Sequence, residues 1–451
     1  MASVFNIAQH VIEASHIREY ARATSHSQDE KLHLHVKQYI PKDNPVPRKG
    51  DVTIIGAHAN GFPKATLQPP PAELYEPLWE DLYHDAKSRN LRIRSIYIAD
   101  AAWQGQSGVL NHDALGNDRK SRSHAAIPLR YPPSCTLHAD EALAASWLDH
   151  ARDILHIINT LRPPPPLVGI GHSFGASILA NVALIHPRLM TSLVLLDPVI
   201  SRFTGTPSSA GPAAASLNRR DVWPSREEAA KSFSQSPFYR TWDRRVLQRW
   251  LEHGLRNVSG TNAVTLTTTK HQEVFTYVRP SWDAYDAEGR EVIRPDLAVD
   301  LDPSLNENWP TYPVYRPEGP RTLASLPALR PSVLYLFGGR SEISSVELRE
   351  EKLALTGTGV GGSGGVKAGR VSSVVSEESG HLVPLEAPGL CARVAAEWMT
   401  TDLTRWLAEE REYETWARRP AAEKTTMSDQ LRHHVSQMRV PTQWQHNRSK
   451  I

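Results

Sequence analysis

Leu167-Val168-Gly169-Ile170, Gly171-His172-Ser173-Phe174-Gly175 and Ala176-Ser177-Ile178-Leu179-Ala180-Asn181 follow one another without a break. They read as a short apolar strand, a turn and a helix of small residues. The turn matches G-x-S-x-G. In this context the pattern carries chemistry, because a sharp strand-to-helix turn lifts the serine hydroxyl to the C-terminal edge of a sheet, at a helix N-terminus. Glycine on both sides relieves the crowding of such a turn. A serine presented this way is a candidate nucleophile for acyl transfer.

Outward from this turn the chain alternates strands and helices. Residues 31–39 (KLHLHVKQY), 51–57 (DVTIIGA), 91–99 (LRIRSIYIA), 192–196 (SLVLL), 332–337 (SVLYLF) and 370–375 (RVSSVV) are strand candidates. A helix is expected over 140–161, where apolar residues recur at helical spacing until Pro163–Pro166 stop it. The fold class is therefore α/β, a mostly parallel sheet with helices on both faces. A large cap is inserted between two core strands. The organisation expected is 1–199 as the first part of the core, 200–328 as the cap, 329–425 as the second part of the core and 426–451 as an exposed tail. The cap holds Trp223, Trp242, Trp250, Trp282 and Trp309, a set expected to line its underside or form a small core of its own. Residues 356–368 (TGTGVGGSGGVKA) read as a mobile Gly/Ser-rich surface loop.

Composition excludes several classes. The 451 residues carry 51 Lys+Arg against 49 Asp+Glu, a balance unsuited to a dedicated nucleic-acid binder. Two cysteines, Cys135 and Cys391, cannot build a disulfide scaffold or a four-cysteine zinc site. There is no H-E-x-x-H, no paired C-x-x-C and no Walker A ending, so neither a metal nor another cofactor is expected. No 18-residue apolar run suggests a membrane span. The N-terminus lacks the features of a secretory signal. The ending Ser449-Lys450-Ile451 is one conservative step from Ser-Lys-Leu, the peroxisomal address, so a peroxisomal import receptor is an expected partner.

A serine hydroxyl needs a general base. His381, in Ser379-Gly380-His381-Leu382-Val383-Pro384, follows the last strand candidate and is placed to reach Ser173. His172 reads as a structural residue beneath the turn. Arg219-Arg220 and Arg244-Arg245 read as solvated cap surface, with the holding of an acidic substrate such as a CoA thioester as the alternative.

These motifs, spanning roughly residues 31–400, resemble those of α/β-hydrolases. SLVLLDPVI, WPSREEAAKSFSQSPFYRTWD, LYLFGGRSE and the terminal SKI are similar to segments of filamentous-fungal hydrolases associated with toxin biosynthesis and of peroxisomal lipases. The resemblance implies a third residue, an acid that orients the histidine. Glu342 holds the position most α/β-hydrolases use, and Asp197 the position some lipases use. It also implies that the Phe174 amide binds the oxyanion. The second donor would come from His58-Ala59-Asn60-Gly61-Phe62, with Asn60 first by position and Phe62 the alternative. The expected activity is hydrolysis of an ester, thioester or lactone of an apolar acyl or secondary-metabolite substrate through an acyl-enzyme. An acyltransferase or cyclase is the alternative, and a non-catalytic ligand receptor is the alternative of another class.

Overall fold

The computed structural model describes residues 3–62, 74–116, 145–202, 207–298, 300–301 and 311–438, and the account below concerns these. The main sheet has eight strands: β1 (Phe5–Glu13), β2 (His33–Pro41), β3 (Val52–Ala57), β4 (Ile93–Ala99), β5 (Leu167–His172), β6 (Ser192–Leu196), β7 (Ser332–Gly338) and β8 (Val371–Ser376). Their spatial order is β1-β2-β4-β3-β5-β6-β7-β8. β1 and β2 pair antiparallel, as do β2 and β4, and every later pairing is parallel. β1 is the strand the hydrophobic pattern does not announce. It lies at the sheet edge with exposed positions on both faces, so neither alternation nor an apolar run marks it.

The helices that place the site are α1 (Glu76–Ser88), α2 (Trp147–Leu161), α3 (Phe174–Ile185), α4 (Lys270–Tyr277), α5 (Val346–Leu355) and α6 (Pro388–Ala417). α2 starts at an N-cap, where Ser146 Oγ accepts from the Leu148 amide, and ends at Arg162 in the left-handed region. The expected stretch 140–144 lies outside the described residues. Every residue of β3, β5, β6 and β7 is buried, which is why they read as apolar runs without alternation. One core lies on the sheet face covered by α1 and α6 and runs on into the cap, taking in Trp223, Phe233, Trp242 and Trp250. The other lies on the face of α2 and α3. The buried cap tryptophans thus form core, Trp223 also lining the cavity under the cap, whereas Trp282 is exposed and Trp309 lies outside the described residues.

The chain forms two compact units, Met1–Leu403 and Thr404–Ile451. The first holds the sheet and the insertion between β6 and β7. It closes at Leu403 rather than near 425, because the buried positions of α6 end there. The second unit contains the rest of α6 and the helices Ala421–Thr425 and Asp429–Gln437, which bury no side chain. The loop 356–368 is not loose: the amides of Gly357, Gly359 and Ser363 donate to the carbonyls of Leu326, Pro327 and Leu329. Among the described residues, no helix is long and apolar enough to cross a membrane.

Register carries the functional consequence. Ala57 pairs with Gly171, His172 with Leu196, Leu196 with Leu336, and Gly338 with Ser376. The loops after β3, β5, β6, β7 and β8 therefore leave the sheet along one C-terminal edge. In open α/β sheets this is the edge where ligands bind.

Candidate active site

Ser173 joins β5 to α3 with φ 57° and ψ −116°, a conformation that L-residues adopt at a cost of about 1–3 kcal/mol. Backbone hydrogen bonds hold it there. The Ser173 amide donates to the Leu196 carbonyl at 2.9 Å, and its carbonyl accepts from the Val199 amide at 3.3 Å. Glycine is required on both sides: a Cβ on Gly171 would lie 2.7 Å from the Gly175 carbonyl oxygen, and one on Gly175 would strike the Ala57 carbonyl. The first glycine lets the turn close on the start of α3, and the second lets it press against the end of β3.

His381 follows β8 as expected, and its Nε2 lies 2.8 Å from Ser173 Oγ. Its Nδ1 lies 2.6 Å from Asp197 Oδ2. A carboxylate can only accept, so Nδ1–H donates to Asp197 and Nε2 is left to accept the serine proton. Asp197, at the end of β6 with φ 42°, is fully buried. Its Oδ1 accepts from the Gly338 amide at 3.0 Å, and its Oδ2 also accepts from Ser341 Oγ at 2.6 Å. Burial alone pushes this carboxyl up, but the hydrogen bond and charge of His381 and the Ser341 hydroxyl outweigh it and hold it below its ordinary range.

Of the two candidate acids, the structure brings Asp197 to His381 and leaves Glu342 exposed. The turn after β7 explains the difference. The Ser341 amide donates to the Gly338 carbonyl, which turns Ser341 inward and Glu342 outward. Sequence reasoning missed Ser341; its only signal was its place in the same Gly-Arg-Ser-Glu turn.

His172 is buried beneath the turn and linked to both sides of the site. Its Nε2 lies 3.0 Å from the His381 carbonyl, an acceptor, so Nε2 carries the proton. Its Nδ1 then accepts from the Tyr75 hydroxyl at 2.9 Å, and that oxygen accepts from the Ala59 amide. Burial, helped by repulsion from His381, pulls its pKa down to about 3. An unfolded histidine titrates near ~6.5. The unfolded chain thus takes up a proton that the folded one refuses. The resulting stability is complete above ~6.5 and is lost as pH falls toward 3. We expect His172→Gln to be less stable than wild type near neutrality. Its deficit should narrow by up to about 3 kcal/mol between about pH 7 and about pH 4. Urea denaturation across that range checks this; a constant deficit would contradict it.

The loop after β3 presents the other candidate donors. The Phe62 amide donates to the Ala59 carbonyl and the Gly61 amide to Gln104 Oε1. The alternative donor Phe62 is thereby committed elsewhere, because the turn closes on it. Among the described residues, no acceptor takes the amides of Asn60 or Phe174. Both residues line the same cavity as Ser173.

That cavity encloses about 730 Å³. Ser173, His381 and Leu382 contribute from the core, and Phe233, Phe238 and Tyr239 from the cap. Arg219 differs from the expected solvated surface: it turns inward to pair with Glu273 of α4. Arg220 is exposed as expected, at the cavity wall that Arg316 also lines. Arg245 instead pairs with Asp81 and Asp243 on the exterior.

Residues 75–394 match the alpha/beta hydrolase family. The chain belongs to that family. This α/β hydrolase is 37% identical over 437 residues to the type I acyl-CoA thioesterase mpaH of Penicillium brevicompactum, a match covering 91% of this chain and 90% of the relative. It is 28% identical over 243 residues to the abhydrolase domain-containing protein AFT2-1 of Alternaria alternata, covering 52% of this chain and 84% of that protein. Its fold is shared with a peroxisomal alpha-beta-hydrolase of Saccharomyces cerevisiae, with a TM-score of 0.60 at 16% identity over 94% of this chain and 99% of that one.

Proposed function

We propose that this α/β hydrolase is a serine hydrolase that cleaves a thioester of an apolar acyl group, with esters and lactones as further substrates of the same chemistry. The observation that carries the reading is the hydrogen-bonded line Asp197–His381–Ser173 opening onto the cavity. In this reading Ser173 Oγ attacks the acyl carbonyl while His381 Nε2 takes its proton. The oxygen that becomes negative is held by the amides of Phe174 and Asn60. Collapse breaks the carbonyl–sulfur bond and releases the thiol, with His381 returning the proton. Water, deprotonated by His381, then attacks the acyl-enzyme and frees the acid and Ser173. Asp197 keeps the imidazole in the required tautomer and stabilises its positive charge.

The name of the relative at 37% identity, an acyl-CoA thioesterase, supports a thioester as the scissile bond. The aromatic cavity wall supports a bulky apolar acyl group, such as a secondary metabolite would supply. A fluorophosphonate should add once to the wild type, at Ser173, and not to Ser173→Ala. Thiol release across an acyl-CoA panel should favour bulky over acetyl groups. Cleavage of aryl esters without thiol release would replace the thioester by an ester. Acyl groups recovered on an added alcohol or amine would make the enzyme an acyltransferase. No adduct at all would favour a ligand receptor.

Ser449, Lys450 and Ile451 lie outside the described residues. We propose them as the peptide read by a peroxisomal import receptor. Removing them from a fluorescent fusion should move it from peroxisomes to the cytosol without changing turnover; an unchanged location would refute the address.

A further inference from the structure

We infer that the cap helix α4, acting through Gln104, positions the Asn60 amide, so that Gln104 and Thr276 are positioning residues for the reaction. The inference rests on the reading of Asn60 as an oxyanion donor and deepens it.

The side chain of Gln104 lies between the loop after β3 and the cap. Its Oε1 accepts from the Gly61 amide at 3.0 Å. Its Nε2 donates to Asn60 Oδ1 at 2.6 Å and to Thr276 Oγ1 at 3.1 Å. Thr276 donates its own proton to the Gln272 carbonyl at 2.8 Å, so its oxygen is free to accept from Gln104 and also from Trp103 Nε1 at 2.8 Å. α4 then reaches Asn60 a second time: Asn60 Nδ2 donates to the Glu273 carbonyl at 3.0 Å. Gln104 and Thr276 are fully buried and Asn60 is 4% exposed, so these bonds are made where the local dielectric is low and a lost partner is costly.

This arrangement leaves the loop little freedom of its own. Gly61 has φ 78°, and a Cβ there would collide with the Glu273 carboxylate, so the cap helix lies directly against the loop backbone. The Asn60 side chain is held at both ends, its oxygen by Gln104 and its nitrogen by α4. The carbonyl of the peptide unit between Ala59 and Asn60 accepts from the Phe62 amide and from His58 Nδ1, so with the Asn60 side chain held by the cap the unit is tied from both sides, and its N–H is left without a protein acceptor among the described residues. A donor contributes to rate only when aimed at the oxyanion before charge develops. The cap completes the aim here, because the bonds to the Ala59 carbonyl hold one side of the peptide unit and Gln104 and α4 hold the other.

The test uses the full-length protein with Gln104→Met, Thr276→Val and Thr276→Ser. It reads kcat, KM and inhibition by an aryl trifluoromethyl ketone, whose serine-bound hemiketal carries the oxyanion. Gln104→Met and Thr276→Val should lower kcat by about 10- to 100-fold, less than or equal to the loss of a whole oxyanion donor. KM should stay within about twofold, because the ground-state carbonyl is bound weakly by this donor. Affinity for the trifluoromethyl ketone should fall in step with kcat. Thr276→Ser, which keeps the hydroxyl, should recover most of the rate. Unchanged kcat and ketone affinity in folded Gln104→Met and Thr276→Val would overturn the inference. So would a loss confined to KM, or one that Thr276→Ser does not recover. A wild-type protein that takes no fluorophosphonate on Ser173 is a different result, and it would remove the triad reading itself.

Discussion

Ser173→Ala is expected to lower kcat by roughly 10⁵- to 10⁶-fold while leaving the fold and substrate binding intact. The size follows from the geometry. On the proposed mechanism the hydroxyl forms the covalent bond to the acyl group, and His381 Nε2 lies 2.8 Å from that oxygen. Without it, the proposed oxyanion donors of Phe174 and Asn60 are unchanged, so on the proposed mechanism a residual acceleration of ~10³ over water would remain. Folding should be nearly indifferent. Alanine keeps the Cβ, so the positive φ at 173 costs the same in both proteins, and one hydrogen bond to His381 is lost, worth about 1 kcal/mol. Single-turnover thiol release, with a thermal melt alongside, measures both halves. Activity within tenfold of wild type would mean that Ser173 is not the nucleophile.

What could be read from residue order alone divides by the range of the interactions. The strands buried on both faces, β3, β5, β6 and β7, are continuous apolar runs, and each was recognisable without its partners. Ser173 and its glycines were recognisable because the demands of the turn are local. β1 was not, since an exposed edge strand takes its conformation from a nine-residue pairing with β2 that no local pattern encodes. The acid was ambiguous for a similar reason. Asp197 and Glu342 both follow parallel strands, and the choice depends on which way the Gly338–Ser341 turn points. Gln104 and Thr276 lie 172 residues apart and meet only because the cap folds over the sheet edge, so no motif could announce them. Arg219 looked like solvated surface because its partner, Glu273, belongs to a distant helix.

Asp197→Asn is expected to cost about 10⁴ in kcat, and Glu342→Gln less than about threefold. The asymmetry can be derived from the hydrogen bonds around Asp197. One oxygen accepts from the Gly338 amide, and the other from both His381 Nδ1 and Ser341 Oγ. An asparagine must keep its oxygen toward Gly338, because an NH₂ there would set donor against donor. Its NH₂ then faces His381 Nδ1 and donates to it, which drives the imidazole proton onto Nε2. That tautomer cannot accept the Ser173 proton, and no carboxylate remains to stabilise an imidazolium. Substrate binding is not touched, so the loss should fall on kcat and leave KM within about twofold. Glu342 is exposed at the rim of the cavity, and its amide analogue changes only a solvated charge. Paired kcat measurements on the two variants, each checked by thermal melt, decide the matter. Equal losses, or a larger loss at Glu342, would mean that the acid working in catalysis is not the one that holds His381 in this structure.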